Sequence, residues 1–343
     1  MSYRTPESRV EPVEKVLEIL NEAKRVLLTT HINADGDGAG SEVALAGWLR
    51  AQGRECWIIN PTPYPDSLRF LLPGKEWTVD SGSSEARGLS ERADLAVVLD
   101  TGEIPRIGSV IDLFQNLPTV VIDHHPPGPD PIPGVSLRAP EACATGELVF
   151  DILMKAGGPW PSEAIQGLYV ALLADTGSFR FSNTSPGTHR IVAFLMDHGA
   201  DPEELHRLVY GNVPLRKLRL LHAALGELEL DSEGDLAWIT VPPGSFEELG
   251  ATSDDIEGLV DYPRDIKGVE VGLLFRETAR GATKVSFRSN GDTDVNALAR
   301  MFGGGGHVRA SGALVERPLA EVRPEVLEAV RDAVRGRKMN AGG

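Results

Sequence analysis

Short apolar runs alternate with helical segments along the first half of the chain, and this alternation restricts the possible folds more than any other feature. Four runs have the length and β-branched content of buried strands, at residues 26–28, 57–59, 95–99 and 120–122. Helices are predicted after Pro12, with apolar residues at positions 13, 16, 17 and 20, and around residues 41–52. This order predicts an α/β fold with a doubly wound, mainly parallel sheet.

The later part of the chain has a different order of predicted helices and strands, which indicates a second domain. Helices are expected at 145–155, 163–173, 188–198 and 214–225, and Asp201 with Pro202 begins a further helix that ends near Gly211. Strands are expected at 236–241, 269–275 and 283–289, and helices at 294–301 and 324–335, the last ended by Gly336. We therefore predict a first domain at 1–187, a helical connector at 188–227 and a smaller α/β domain at 228–343.

Aspartate and histidine residues follow the predicted strands directly. They are His31, Asp35 and Asp37 after the first run, Asp100 after the third, Asp123, His124 and His125 after the fourth, and Asp175 after a helix. In an open parallel sheet, ligands bind outside the carboxyl ends of the strands, so these segments are expected to converge. A buried cluster of carboxylates repels itself unless cations are bound. The residues together therefore predict a metal site.

The residue types of this cluster indicate which metal and which chemistry it suits. Carboxylates and imidazoles suit Mn²⁺ and related divalent ions. Two such ions about 3.5–4 Å apart can hold the attacking and leaving oxygens of phosphoryl transfer and lower the pKa of a water between them. The segment from Asn33 resembles the beginning of an EF-hand calcium loop, but its twelfth position is Ala44 rather than glutamate, so that alternative fails. Each fragment alone is also compatible with an ordinary turn or helix start.

A run of four glycines precedes a histidine in the second predicted domain. Glycines allow close backbone approach to a ligand and can point N–H groups at an anion, and basic side chains beside them suit phosphate. The candidate phosphate-binding residues are Gly304, Gly305, Gly306, His307 and Arg309. A flexible linker is the alternative, and a Walker A loop is excluded because no Gly-Lys-Ser/Thr follows. Arg288, on the polar face of its predicted strand, is either a second anion contact or an ordinary exposed arginine.

The chain of 343 residues carries a formal net charge of −16, which argues against a long nucleic-acid ligand. A protein that grips a long strand usually presents a basic track. The two cysteines, Cys56 and Cys143, form no CxxC pattern and are expected to be buried thiols in a reducing cytosol. The polar N-terminus lacks a signal-peptide core, and no apolar run reaches membrane-spanning length. A cytoplasmic location without a membrane partner is predicted.

The motifs together resemble the DHH–DHHA1 phosphoesterase family over nearly the whole chain. The resemblance is carried by His31-x-x-x-Asp35-x-Asp37-Gly38, Asp100, Asp123-His124-His125, Asp175-Thr-Gly and the glycine run before His307. It implies a DHH domain followed by a DHHA1 domain, with the active site in the cleft between them. It also implies a dinuclear centre containing two Mn²⁺, with Mg²⁺ or Co²⁺ as alternatives.

The resemblance further implies a role for each site residue. One ion would be held by His31, Asp35 and Asp100, and the other by Asp37, Asp100, His124 and Asp175. Asp123 would orient an imidazole by accepting its free N–H, and His125 would lie near the scissile phosphate or support the ligands. The terminal phosphate of the substrate would be bound by Arg288, His307 and Arg309.

Within this family, the compact two-domain form resembles the nanoRNase/pAp phosphatase branch. That branch implies hydrolysis of short oligoribonucleotides, of dinucleotides such as pApA or pGpG, and of 3′-phosphoadenosine 5′-phosphate, without a stable long nucleic-acid complex. A standalone cyclic di-AMP phosphodiesterase, a RecJ-like single-strand exonuclease and a pyrophosphatase-type hydrolase stay open as alternatives. A catalytically dead nucleotide sensor would be expected to lack a ligand residue, and none is missing. A homodimer is compatible with the sequence, and Tyr64 and Phe302 are candidates for stacking against a base.

Overall fold

The chain forms two compact units, the first ending at Asn212 and the second beginning at Val213. The computed structural model describes residues 3–341, and the side chains of residues 3–253 and 255–336. The predicted connector, residues 188–227, is therefore divided between the two units. Its first part belongs to the first unit, and its last helix belongs to the second.

A parallel sheet of five strands forms the centre of the first unit, with the order β2-β1-β3-β4-β5. The strands are β1 (Arg25–Thr29), β2 (Glu55–Ile58), β3 (Leu95–Leu99), β4 (Thr119–Asp123) and β5 (Val135–Arg138). The first four are the strands that the apolar runs predict. The edge strand β5 was not predicted, because only Leu137 of its four residues is buried and no apolar run marks it.

Helices cover both faces of this sheet, which confirms the doubly wound α/β architecture. Val26 and Leu28 belong to one hydrophobic cluster, whereas Leu27 belongs to another on the opposite face, because successive side chains of a strand point in opposite directions. The helices are α1 (Glu7–Glu22), α2 (Gly36–Ala51), α3 (Ser84–Ser90), α4 (Ile104–Ile107), α5 (Ile111–Phe114), α6 (Thr145–Ala156), α7 (Ser162–Asp175), α8 (Pro186–Asp197) and α9 (Pro202–Tyr210).

Two helix starts differ from the prediction. α1 begins at Glu7 and contains Pro12 rather than starting after it. α2 begins at Gly36, five residues before the predicted start, with the Asp35 carboxylate capping the N–H groups of Asp37 and Gly38. Almost every residue of α2 is buried, so its sequence lacks the apolar periodicity that marks a surface helix.

Glycine permits α2 and α7 to pack with their backbones in contact. A Cβ atom on Gly40 would lie 2.3 Å from the carbonyl oxygen of Gly167, and a Cβ on Gly167 would lie 2.4 Å from that of Gly40. Neither position therefore accepts a side chain without displacing a helix. This contact fixes the separation of the two helices that carry Asp37 and Asp175.

The second unit contains a mixed sheet of six strands, in the order β10-β11-β9-β8-β7-β6. Its strands are β6 (Glu229–Leu230), β7 (Leu236–Val241), β8 (Val271–Glu277), β9 (Thr283–Ser289), β10 (Gly305–His307) and β11 (Ala310–Val315). Only the pair β7–β8 is parallel. This is the smaller C-terminal α/β domain that the sequence predicts.

Helices also lie on both faces of the second sheet. They are α10 (Leu215–Gly226), α11 (Ser245–Leu249), α12 (Asp261–Arg264), α13 (Val295–Met301) and α14 (Leu319–Ala341). Val285 and Phe287 of β9 pack with residues of α13 and α14, whereas Ile239 and Leu274 pack with residues of α10. The prediction that Gly336 ends the last helix is wrong, because α14 continues to Ala341. Within the part of the chain that the structure describes, no helix combines the length and apolarity needed to cross a membrane.

Candidate metal centre

Aspartate and histidine side chains meet at the carboxyl edge of the first sheet, as the strand positions predict. These side chains form three groups, and within each group one nitrogen or oxygen atom from every residue lies within 4.8 Å of those of the other two residues. The groups are His31, Asp35 and Asp100; Asp37, His124 and Asp175; and Asp100, His124 and His125. The structure thus brings all six sequence-predicted metal ligands together with His125. Their donor atoms, carboxylate oxygens and imidazole nitrogens, suit a divalent cation.

The group around His31 lies between β1 and β3. His31 Nε2 is 3.6 Å from Asp35 Oδ2 and 3.3 Å from Asp100 Oδ2, while Nδ1 faces the carbonyl oxygen of Ile32 at 2.9 Å. Nε2 is buried and has no hydrogen-bond partner among the described residues. A buried polar atom without such a partner is costly, and a cation between these three side chains would satisfy it.

The group around His124 lies at the end of β4. His124 Nε2 is 3.6 Å from Asp37 Oδ2, 3.6 Å from Asp100 Oδ1 and 3.5 Å from Asp175 Oδ2, and Nδ1 faces the carbonyl oxygen of Ala142 at 3.3 Å. Burial alone lowers the pKa of His124, but the three carboxylates outweigh it and raise that pKa to about 9. Burial and the charge of Asp37 raise the pKa of Asp175 to about 7. These values describe the protein without metal, in which protons offset the crowded carboxylates.

Asp100 is the residue that the groups share. It lies one position after β3 and is 1% exposed, with its two oxygens turned towards different groups, Oδ2 to His31 and Oδ1 to His124. Its φ of +61° is in the left-handed region, which costs a non-glycine residue on the order of 1 kcal/mol or more. Burial and the negative charge of Asp37 and Asp35 raise its pKa well above the usual range. A bound cation would remove this electrostatic cost.

Asp37 is held by the beginning of α6, which the sequence did not reveal. The N–H groups of Thr145 and Gly146 donate to Asp37 at 2.6 and 2.9 Å, and the Ser41 hydroxyl donates at 3.1 Å. Ala144, the N-cap residue of α6, offers no side-chain acceptor. The Asp37 carboxylate therefore caps α6 from another helix, where the partial positive charge of the helix N-terminus favours it.

Asp123 and His125 form a pair beside the cluster. Asp123 Oδ1 is 2.8 Å from His125 Nδ1 and accepts the backbone N–H of His125 at 3.0 Å, and Arg138 lies 3.5 Å from Oδ2. Burial raises the pKa of Asp123, but His125 and Arg138 outweigh it and lower that pKa below the usual range. Asp123 thus orients the imidazole of His125, whereas His124 faces a backbone carbonyl. The motif alone could not decide which histidine Asp123 contacts.

The second unit places two of the predicted phosphate contacts on one face of its sheet. His307 on β10 and Arg288 on β9 both pair with Ala310 of β11, so their side chains share a face. Arg288 Nε lies 3.7 Å from Asp261 Oδ1. Arg309 lies outside the strands, in the turn between β10 and β11, and is exposed.

The glycine run is part of a hairpin rather than a free loop. A Cβ on Gly304 would lie 2.1 Å from the carbonyl oxygen of Gly312, and one on Gly306 would lie 2.6 Å from that of Ala310. Two of the glycines are therefore required by the close approach of β10 and β11. Gly305, which has no such contact below 3.9 Å, lies between them. Phosphate binding by Gly304, Gly305 and Gly306 stays a prediction.

The two candidates for base stacking differ in the structure. Tyr64 is 5% exposed, and its hydroxyl donates to Glu42 at 2.6 Å. A buried ring cannot stack on a substrate base, so the expectation for Tyr64 is wrong. Phe302 is half-buried and packs against the core of the second unit.

Comparison with known proteins matches both units. The model of the DHH family N-terminal domain matches residues 25–174, and that of the DHHA1 domain matches residues 239–336. The chain is 34% identical over 341 residues to the bifunctional oligoribonuclease and PAP phosphatase NrnA of Thermus thermophilus, covering 97% of this chain and 98% of that protein. It is 29% identical over 298 residues to the protein of the same name from Bacillus subtilis, covering 84% of this chain and 89% of that protein.

Solved structures agree with the fold. An exopolyphosphatase-related protein from Bacteroides fragilis superposes with a TM-score of 0.87 at 26% identity, over 97% of this chain and 98% of that one. RecJ of Thermus thermophilus in complex with Mn²⁺ gives a TM-score of 0.56 at 17% identity, over 95% of this chain and 55% of that one, and shows a shared fold alone. The chain therefore belongs to the DHH family, with the DHH domain in its first unit and the DHHA1 domain in its second.

Proposed function

We propose that this protein is a metal-dependent phosphoesterase that hydrolyses short oligoribonucleotides and 3′-phosphoadenosine 5′-phosphate. The observation that carries the proposal is the convergence of six aspartate and histidine side chains at the carboxyl edge of the first sheet. The names of the Thermus and Bacillus relatives support the choice of substrates. Two buried cysteines without a disulfide support a cytoplasmic location.

The proposed centre holds two divalent ions, Mn²⁺ in the first instance. His31, Asp35 and Asp100 hold one ion, and Asp37, Asp100, His124 and Asp175 hold the other. Asp100 would belong to both sets because its two oxygens face different histidines, His31 and His124. When bound, such a pair supplies charge neutralisation at the phosphate and a nucleophile at neutral pH.

The side chains around the centre orient the reacting groups. Asp123 and Arg138 hold the His125 imidazole in one orientation, and we assign His125 a place beside the scissile phosphate. In the reaction, the oxygen of a water forms a bond to phosphorus while the bond from phosphorus to the leaving oxygen breaks. The leaving oxygen ends protonated, and a nucleoside monophosphate or inorganic phosphate is released.

Substrate length is selected by the second unit in this proposal. Arg288, His307 and Arg309 bind the terminal phosphate of the substrate through charge-assisted hydrogen bonds. The net charge of −16 supports a short substrate, because a few cationic side chains neutralise one or two phosphates but not a long strand.

A substrate panel tests the proposal directly. The full chain is stripped with a chelator, supplied with Mn²⁺ and assayed on 3′-phosphoadenosine 5′-phosphate, RNA dinucleotides, longer RNA, cyclic di-AMP, single-stranded DNA and pyrophosphate. We expect turnover of the first two and little of the rest. Preference for cyclic di-AMP, single-stranded DNA or pyrophosphate would replace the substrate assignment, and binding without turnover would indicate a sensor.

A charge-removing variant of the shared ligand tests the centre. Loss of a residue that only supports a metal ligand typically lowers activity by about 10–100-fold. Because Asp100 is a proposed ligand itself, Asp100→Asn should lower kcat by more than roughly 100-fold. Asparagine also tolerates the left-handed backbone found here. The control is Asp197→Asn, which changes the same charge on the exposed side of α8. Full activity of Asp100→Asn with Mn²⁺ would reject the assigned centre.

A further inference from the structure

The first turn of α6 contacts two of the proposed metal ligands at once. The N–H groups of Thr145 and Gly146 donate to Asp37 Oδ2 and Oδ1, at 2.6 and 2.9 Å, and the Thr145 hydroxyl donates to Asp100 Oδ1 at 3.0 Å. Thr145 is fully buried. One residue therefore joins a carboxylate carried by α2 to a carboxylate that follows β3.

The hydroxyl contact selects one rotation of the Asp100 carboxylate. With Oδ1 held by Thr145, Oδ2 faces His31 Nε2 at 3.3 Å, and Oδ1 faces His124 Nε2 at 3.6 Å. A quarter turn of the carboxylate about its bond to Cβ would break the hydroxyl contact and turn both oxygens away from these nitrogens. An oxygen that accepts one hydrogen bond keeps a lone pair for a cation.

The turn that carries Thr145 is itself anchored. Glu147 accepts the backbone N–H of Cys143 at 2.9 Å with one oxygen and the Arg9 guanidinium at 2.6 Å with the other. Both charged side chains are buried, so the beginning of α6 is tied to α1 through an ion pair. Thr145 therefore presents its hydroxyl from a rigid support.

We propose that Thr145 is a positioning residue, which sets Asp100 against Asp37 so that both carboxylates are ready to receive divalent ions. This inference rests on the proposed function, because it concerns the same centre. The backbone N–H groups that hold Asp37 do not depend on the side chain at position 145. Replacement of Thr145 by valine, which has the same shape, therefore removes the Asp100 contact and leaves the Asp37 contacts.

Metal titration of the variants tests this role. Mn²⁺ binding to the metal-free full chain is measured by calorimetry for the wild type, Thr145→Val and Thr145→Ser. We expect Thr145→Val to weaken Mn²⁺ binding by about 10–100-fold and Thr145→Ser, which keeps the hydroxyl, to stay close to the wild type. The activity of Thr145→Val on 3′-phosphoadenosine 5′-phosphate should largely return at saturating Mn²⁺, with KM nearly unchanged.

Two controls separate positioning from a general packing effect. Thr283→Val removes another fully buried hydroxyl, which donates to the carbonyl oxygen of Arg317 in the second unit, and should leave Mn²⁺ binding unchanged. Thermal unfolding of the metal-free variants shows whether each substitution changes the stability of the fold when no ion is bound. If Thr145→Val fails to fold, Thr145→Ala gives the same comparison with a smaller side chain.

The outcomes distinguish this inference from the proposed function. A wild-type protein that binds no Mn²⁺ and hydrolyses no phosphoester would overturn both. A wild type that binds and hydrolyses, together with a Thr145→Val variant of unchanged Mn²⁺ affinity, would overturn the role of Thr145 alone. Equal loss in Thr145→Val and Thr145→Ser would do the same, because the hydroxyl would then be irrelevant.

Discussion

Arg288 and His307 occupy the same row of the second sheet, because each is paired with Ala310 on the strand between them. Their backbones are two strand spacings apart, about 10 Å, with only a methyl group between the two side chains. Both side chains emerge on one face, so an arginine and a histidine flank Ala310. This arrangement supports their proposed role in binding a terminal phosphate.

Removal of either proposed phosphate contact should weaken substrate binding more than turnover. Arg288→Ala or His307→Ala should raise KM for 3′-phosphoadenosine 5′-phosphate by roughly 10–150-fold, since a hydrogen bond to a charged group contributes about 1.5–3 kcal/mol. Steady-state kinetics at saturating Mn²⁺ measures this. Arg280→Ala, in the exposed turn between β8 and β9, is the control. An unchanged KM in both variants would contradict the phosphate role.

Metal binding should stabilise the folded protein. The cluster of carboxylates and imidazoles is assembled only in the folded chain, so Mn²⁺ should bind the native state in preference to the unfolded chain. At a free Mn²⁺ concentration of 100 times Kd, the free energy of unfolding should rise by about 2.7 kcal/mol per site. Thermal unfolding with Mn²⁺ and with excess chelator measures the shift in Tm. The same melts on Asp100→Asn should show a much smaller shift, and an equal shift would place the ions elsewhere.

Glu42 should make the stability of the metal-free protein fall as the pH rises. Burial raises the pKa of this fully buried carboxyl from 4.5 to about 8, although hydrogen bonds from Asn60 and Tyr64 partly oppose the shift. Below pH 4.5 the group is neutral in both states. Above it, the unfolded chain ionises first, so the free energy of unfolding decreases until the pH passes about 8.

Glu42→Gln isolates this contribution, because glutamine keeps an acceptor oxygen and stays neutral. Between pH 5 and pH 9, the wild type should lose on the order of 4 kcal/mol of unfolding free energy relative to Glu42→Gln. The variant is therefore favoured increasingly as the pH rises. Urea denaturation in chelator across this range measures the difference. Parallel pH profiles for the two proteins would show that Glu42 ionises normally.

Arg9 should be essential for the stability of the first unit. Arg9 is 4% exposed, and its guanidinium lies 2.6 Å from Glu147 and 3.1 Å from Asp151, both also buried. Arg9→Met would leave two buried carboxylates without their counter-charge, which should cost about 3–5 kcal/mol. Urea denaturation measures the loss, and Arg190→Met, at an exposed position of α8, should change stability little. A loss below 1 kcal/mol for Arg9→Met, as is usual for a surface pair, would contradict the assigned burial.

Alanine substitutions at two glycines should have opposite effects. Gly40→Ala forces a Cβ to within 2.3 Å of the Gly167 carbonyl oxygen, and overpacking of this kind costs about 1–3 kcal/mol or more. Gly88 lies in α3, where a Cβ would have no neighbour within 4 Å, so Gly88→Ala should stabilise the chain by about 0.5–1 kcal/mol. Chemical denaturation of both variants gives the comparison. A neutral Gly40→Ala would mean that α2 and α7 are loosely packed.

The convergence of most candidate metal ligands could be predicted from the sequence because their positions follow from sheet topology. β3 was predicted with its observed bounds, and Asp100 directly follows it. Side chains after parallel strands meet at one edge whatever the loops between them do. For Asp100, the apolar run and the acidic residue were therefore sufficient, whereas Asp175 ends a helix and its place in the cluster does not follow from strand positions.

The supporting contacts could not be predicted in the same way. Thr145 begins a helix, and threonine there is ordinary, so nothing in the local sequence shows that its hydroxyl reaches Asp100, 45 positions away. The glycines at 304 and 306 suggest a ligand loop, but the structure explains them by contacts with β11. Tyr64 illustrates the same limit, because its burial beside Glu42 depends on how distant segments pack.

The glycine contact between α2 and α7 has a consequence for ion size. Asp37 and Asp175 are carried on helices that approach each other through main-chain atoms at Gly40 and Gly167 and through the Ala174 methyl group at Gly36, so only small groups separate them. A wider separation of these two carboxylates, which a larger cation would need, would therefore require translation of an entire helix.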